Sequence, residues 1–149
     1  MRKSFLWSVT VAFLAAAVFP VVALGRTTVL TGSRCNPGCS ELVGVYAFRP
    51  RQIVLYDAYG GGLKLHWTHW RTRSATGVGS SFSAGAGGHS TAHVRVRLTR
   101  SLGGHFTLMR IHFTHVKVYS ETGQVSAGRN STEVLEEAFE NGPEWSRVE

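Results

Sequence analysis

Seven histidines lie between residues 66 and 115, and they are the side chains best suited to hold a metal ion or move a proton. His66 and His69 are spaced three apart, as are His112 and His115. On a flat strand, residues on one side are two apart, so neither pair can face one way. A metal site would need His66, His93 and His112 to converge from different strands, with no carboxylate close in sequence. Structural or surface roles are the plainer reading, and no metal ligand set is assigned. The only acids between residues 26 and 120 are Glu41 and Asp57. A two-carboxylate glycosidase would have to use that pair or borrow from the C-terminal segment. The serines sit in no G-x-S-x-G elbow. Gly77-Val78-Gly79 lacks the third glycine and the helix of a dinucleotide loop, so no cofactor is implied. The sequence leans away from an enzyme. A small secreted hydrolase built on the histidines stands as an alternative.

Arginine and tryptophan carry the remaining chemistry. Trp67 and Trp70 sit among Lys64, His66, His69, Arg71 and Arg73. In a regular strand the two indoles have opposite parity. Trp67 shares a face with Leu63 and Leu65 and is assigned to the core. Trp70 is left either as an exposed platform for a sugar ring or base, or packed under a neighbouring segment. Arg95 and Arg97 point the same way, and Arg110 can join them across the sheet. Such a row is either a solvated face or a polyanion-binding surface. Residues 26–120 hold twelve basic residues against two acids, a net of +10, whereas residues 121–149 hold seven glutamates against Arg129 and Arg147, a net of −5. A basic body with an acidic tail implies a polyanion partner or a tail that folds back on the body. The candidate binding residues are Trp70, Arg71, Arg73, Arg95, Arg97 and Arg110. The candidate partners are an anionic cell-wall polymer, an acidic glycan or nucleic acid.

The chain's address is written at its start. Arg2 and Lys3 precede an uncharged run from Phe5 to Leu24, and small residues stand at Ala23 and Gly25 before Arg26. This is the pattern of a secretory signal peptide over residues 1–25, cut after Gly25 or, as the second choice, after Ala23. An uncleaved anchor is the alternative, since the run is just long enough to span a bilayer. Pro20 and the small residues after it favour cleavage. Once the signal is removed, no further stretch could span a membrane, and the mature chain is expected to be extracellular. Cys35 and Cys39, the only cysteines, then form a disulfide around the Asn36-Pro37-Gly38 turn. An interaction or inhibitor module presenting that loop is a further alternative.

The elements that must position these residues are mostly strands. Residues 26–41 are expected to be an extended arm ending in the Cys loop. Strands follow at Leu42–Phe48, Gln52–Ala58, Leu63–Trp70, Thr72–Ser83 and Ala92–Arg100, separated by Gly-rich turns. Ala75, Gly77 and Gly79 suit a strand that passes close under something bulky. Phe106–Tyr119 is too long for one flat strand. Its apolar parity predicts a bulge or bend between Leu108 and Met109 and again near Val116. Residues 130–149 read as an acidic helix and tail. Asn130-Ser131-Thr132-Glu133 resembles a cap, Val134, Leu135, Ala138 and Phe139 share one face, and Asn141-Gly142-Pro143 ends the helix. The expected fold is all-β, a small sandwich or barrel over residues 26–129 with one short C-terminal helix.

The run from Phe48 to Gly79, followed by Val94–Arg100, resembles a group of small secreted proteins of actinobacteria. The match over residues 48–113 rests on Pro50, the Trp67-x-x-Trp70 pair, Ala75-x-Gly77-x-Gly79, and a closing strand ending in Leu98-Thr99. In that group a Cys pair precedes the closing strand, where this chain has Ala84-Gly85-Ala86-Gly87-Gly88. The resemblance implies a secreted all-β domain and no particular activity.

Overall fold

The computed structural model describes residues 26–35, 42–55, 61–85, 88–139 and 143–148. The signal segment, Cys39, Glu41 and Asp57 lie outside them. Ten strands form: β1 (Thr28–Cys35), β2 (Leu42–Ala47), β3 (Gln52–Val54), β4 (Gly62–Trp70), β5 (Ala75–Gly85), β6 (Gly88–Leu102), β7 (His105–Ser120), β8 (Val125–Ala127), β9 (Ser131–Ala138) and β10 (Glu144–Arg147). All ten belong to one sheet, whose main path runs β10-β9-β7-β6-β5-β4-β3. The all-β class is therefore observed. The sheet does not close, so the architecture is one open, mixed sheet in place of a sandwich or a sealed barrel.

The antiparallel meander β4–β7 follows from clean alternation. On β6, Ala92, Val94, Val96 and Leu98 are buried, while His93, Arg95 and Arg97 are exposed. β6 and β7 meet at Gly103-Gly104, whose φ angles of 59° and 85° supply the left-handed pair a two-residue hairpin needs. The opposite edge of β7 is shared by three segments. β1 pairs with His105 and Phe106 in parallel, β9 pairs with Leu108–Phe113, and β8 pairs with Lys117–Tyr119.

The sheet curls so that its ends approach a common core. Ile53 of β3, Leu63 of β4, Val96 of β6, Ile111 of β7, Leu135 of β9 and Trp145 of β10 are buried in one cluster with Val29 and Leu30 of β1. β1 lies in the gap between the two edge strands. The Trp145 indole N–H donates to the Leu30 carbonyl at 3.0 Å, and Gly32 sits against Val54. Trp67 packs directly over Gly77, where an added Cβ would come within 2.8 Å of the indole, as the small residues on β5 imply.

Three expectations are corrected. Residues 26–41 are not only an arm, because Val29 and Leu30 are both buried and β1 pairs with β2 along its length. The acidic helix is absent: residues 131–138 form β9, and 144–147 form β10. A ten-residue helix is marginal alone, whereas β9 satisfies its backbone on the free edge of β7. The parity break in β7 lies earlier than expected. Met109 and Ile111 face inward and Arg110 and His112 outward, while the adjacent buried residues are Phe106 and Thr107. There the Thr107 hydroxyl donates to the Arg100 carbonyl at 2.7 Å. The bulge near Val116 is present as a register slip opposite Thr91–His93, beside His115 at φ 52°.

Candidate polyanion-binding face

Outward positions on β4–β7 line up in rows across the strands. In one row His69 pairs with Thr76, Thr76 with Arg97, and Arg97 with Arg110. In the next, His66 pairs with Val78, Val78 with Arg95, and Arg95 with His112. A third joins Lys64, Ser80, His93 and Thr114. Arg95, Arg97 and Arg110 are exposed and therefore do form one surface, as their parity predicts. Lys64, His66, His69, His93 and His112 extend it. Shallow depressions run along it, framed by Arg51, Lys64 and His66, by His93, Arg95 and His112, and by Arg97 and Arg110.

The electrostatics of this face are one-sided. Like charges directly opposite on neighbouring strands repel, and Arg97 faces Arg110 in that relation. The nearest acid in register is Glu136 on β9, beside Leu108, and it is taken by Arg100. Among the described residues, no carboxylate lies within ion-pair distance of Arg95, Arg97 or Arg110.

The other candidate residues separate from this surface. Arg71 and Arg73 are exposed in the β4–β5 turn, at the end of the sheet. Trp70 turns inward, since a register slip between Trp67 and His69 puts both indoles on the same side. The two rings meet edge to face at 4.6 Å, and Trp70 also packs on Phe106 and Phe48. Its N–H donates to the Thr27 carbonyl at 3.1 Å, and that of Trp67 to the Pro50 carbonyl at 2.7 Å. An indole so engaged is part of the core margin, and Trp70 is not a free stacking platform. His66, His93 and His112 share the outer face, but no group of three or more His, Cys, Asp or Glu among the described residues is placed to hold a metal ion.

One cluster escaped the sequence reading. Glu137, in the segment read as an acidic helix, is buried between strands. The Tyr46 hydroxyl donates to its Oε1, and His105 Nε2 lies 3.1 Å from its Oε2, too far out of line for a hydrogen bond. Burial, and then the bond to the Glu137 carboxylate and its charge, hold the Tyr46 hydroxyl well above the usual phenol range. The cluster ties β2, β7 and β9 together.

No protein family, curated protein or solved structure matches the chain. Among the described residues no helix is long and apolar enough to cross a membrane.

Proposed function

We propose that the protein is exported by its signal segment and binds an anionic polymer through the outer face of β4–β7, without enzymatic action. The binding is to charge and not to sequence. An anionic cell-wall polymer, an acidic glycan and nucleic acid share the required chemistry. The observation that carries this reading is the registered Arg97–Arg110 pair beside Arg95. Three exposed guanidiniums with no acid among them repel one another, and a counter-charge from outside relieves that repulsion. Guanidinium forks suit carboxylate, sulfate and phosphate alike.

The test is retention of the full mature chain on heparin and on duplex DNA across a salt series. Removing one arginine that neutralises a phosphate should lower the slope of log affinity against log salt by about 0.9 on duplex DNA. Arg95→Gln with Arg97→Gln should therefore lower it by about 2, and adding Arg110→Gln by about 3. Melting should be unchanged or slightly raised, because repulsion is removed. Co-elution of the triple variant with the wild type would overturn the proposal.

A further inference from the structure

Apart from the basic face, the curled sheet holds a cavity of about 340 Å³ at the mouth of its inner side. The sequence explains why space is left there. Deeper in, large residues on β4 cover small ones on β5: Trp67 faces Gly77 and Leu65 faces Gly79 in register. Towards the mouth that pattern fails. β4 begins at Gly62, with Gly61 before it, so Leu63 opposite Ser81 is its last large inward residue at this end, while the inward pairs on β5 and β6 become Ser81 with Ala92 and Ser83 with Ser90. Among the described residues, this end of β5 and β6 presents only serine and alanine side chains inward. Its apolar walls are Leu55, Phe82, Ala92, Phe113 and Val116, and serine hydroxyls line one side.

The charges at the rim are unequal. Arg147 is held by Glu133 at 2.7 Å. Arg129 also borders the cavity, and among the described residues no acid lies within ion-pair distance of it. A cavity of this size that sets an apolar wall against a polar one suits a ligand with both characters. We infer that the mouth of the sheet binds a small amphipathic anion, an alkyl or aryl carboxylate, with its apolar body against Phe113 and Val116 and its head group at Arg129. This site is on the opposite face from the basic rows and does not depend on the polyanion reading.

The probe is octanoate, titrated calorimetrically into the full mature chain, with octanol and octylammonium as comparisons. Octanoate should bind at one saturable site, more tightly than octanol, with octylammonium weakest. Ala92→Phe should fill the cavity and weaken octanoate by at least about tenfold, read together with its melting curve. Ser90→Leu serves the same purpose if Ala92→Phe does not fold. Arg129→Gln, at an exposed position, should weaken octanoate by up to about fivefold and remove its advantage over octanol. The pair Arg95→Gln and Arg97→Gln should leave octanoate binding unchanged, which separates this site from the outer face. The inference is overturned if octanoate fails to bind at millimolar concentration. It is equally overturned if octanol binds as well as octanoate, or if a folded cavity-filling variant binds normally.

Discussion

Replacing Trp145 with alanine should nearly unfold the protein, although the residue lies four positions from the C-terminus. Its side chain is 1% exposed and closes the gap between β10 and β1. Removing so large a buried aromatic costs about 3–5 kcal/mol through lost burial and the cavity left behind. The Leu30 carbonyl also loses its indole donor, which adds about 1 kcal/mol if water does not replace it. A domain of this size has only about 5–15 kcal/mol in total. At about 4 °C per kcal/mol, the midpoint should fall by roughly 16–24 °C. Urea denaturation followed by far-UV circular dichroism measures the loss. Trp145→Phe should fall between wild type and alanine. Arg147→Ala, two residues on, should cost no more than about 1 kcal/mol, since its pair with Glu133 is largely exposed. If Trp145→Ala costs less than about 1 kcal/mol, β10 is not a wedge in the core and the C-terminal segment is an appendage.

Three further outcomes are expected. Because the Tyr46 hydroxyl is held above its ordinary value near 10, the folded state keeps a proton that the unfolded chain gives up. The associated stability is complete below about pH 10 and is lost as pH rises beyond it. Urea midpoints from pH 8 to 11 should fall steeply for the wild type and less so for Tyr46→Phe, which at pH 7 should itself cost about 1–3 kcal/mol by leaving Glu137 without its donor. Gly79→Ala should cost at least about 2 kcal/mol, since its Cβ would meet the Lys64 carbonyl at 1.9 Å. Gly104→Ala, with nothing within 4 Å but φ at 85°, should cost only about 1 kcal/mol, and equal losses in the two melts would contradict the close approach of β4 to β5. Labelling of unfolded, unreduced protein should find no free thiol at Cys35 or Cys39, and two titratable thiols would exclude their disulfide.

The meander β4–β7 was legible chiefly because Leu63–Trp67 of β4 and Ala92–Thr99 of β6 alternate apolar with polar, a pattern that reads as strand. The basic rows were half legible. Alternation gave the directions of Arg95 and Arg97, and the two-residue turn at Gly103-Gly104 held the rest of the answer. Counting outward from Leu102 opposite His105 places Arg97 opposite Arg110. Trp70 was left open between an exposed and a packed position because the slip beside Thr68 reverses parity, and nothing in Trp67-Thr68-His69-Trp70 marks it. The segment Ser131–Ala138 fits two periods. Val134, Leu135 and Ala138 fall together on a helix, while Glu133, Leu135 and Glu137 fall together on a strand. The choice is made by partners elsewhere: the open edge of β7, and Tyr46 and His105, which receive the Glu137 carboxylate. The mouth cavity was visible only as a run of serine and glycine, and its shape needed the pairing of β5 with β6.

The hydrogen bond between Trp145 and Leu30 spans 115 residues of chain, and it bears on the order of folding. β4 to β7 join neighbours through short connections and can assemble as soon as each hairpin is complete. β1 can pair with β2 and β7, but its Leu30 carbonyl must wait for the Trp145 indole of β10. Loop-closure entropy makes so distant a pairing a late event. Until then the edge of β7 that β9 will occupy stays unpaired, a template for aggregation and for proteases. A chain cut short during synthesis would keep that edge open permanently. The topology therefore makes protection of that β7 edge depend on β9, a strand that follows it in the chain.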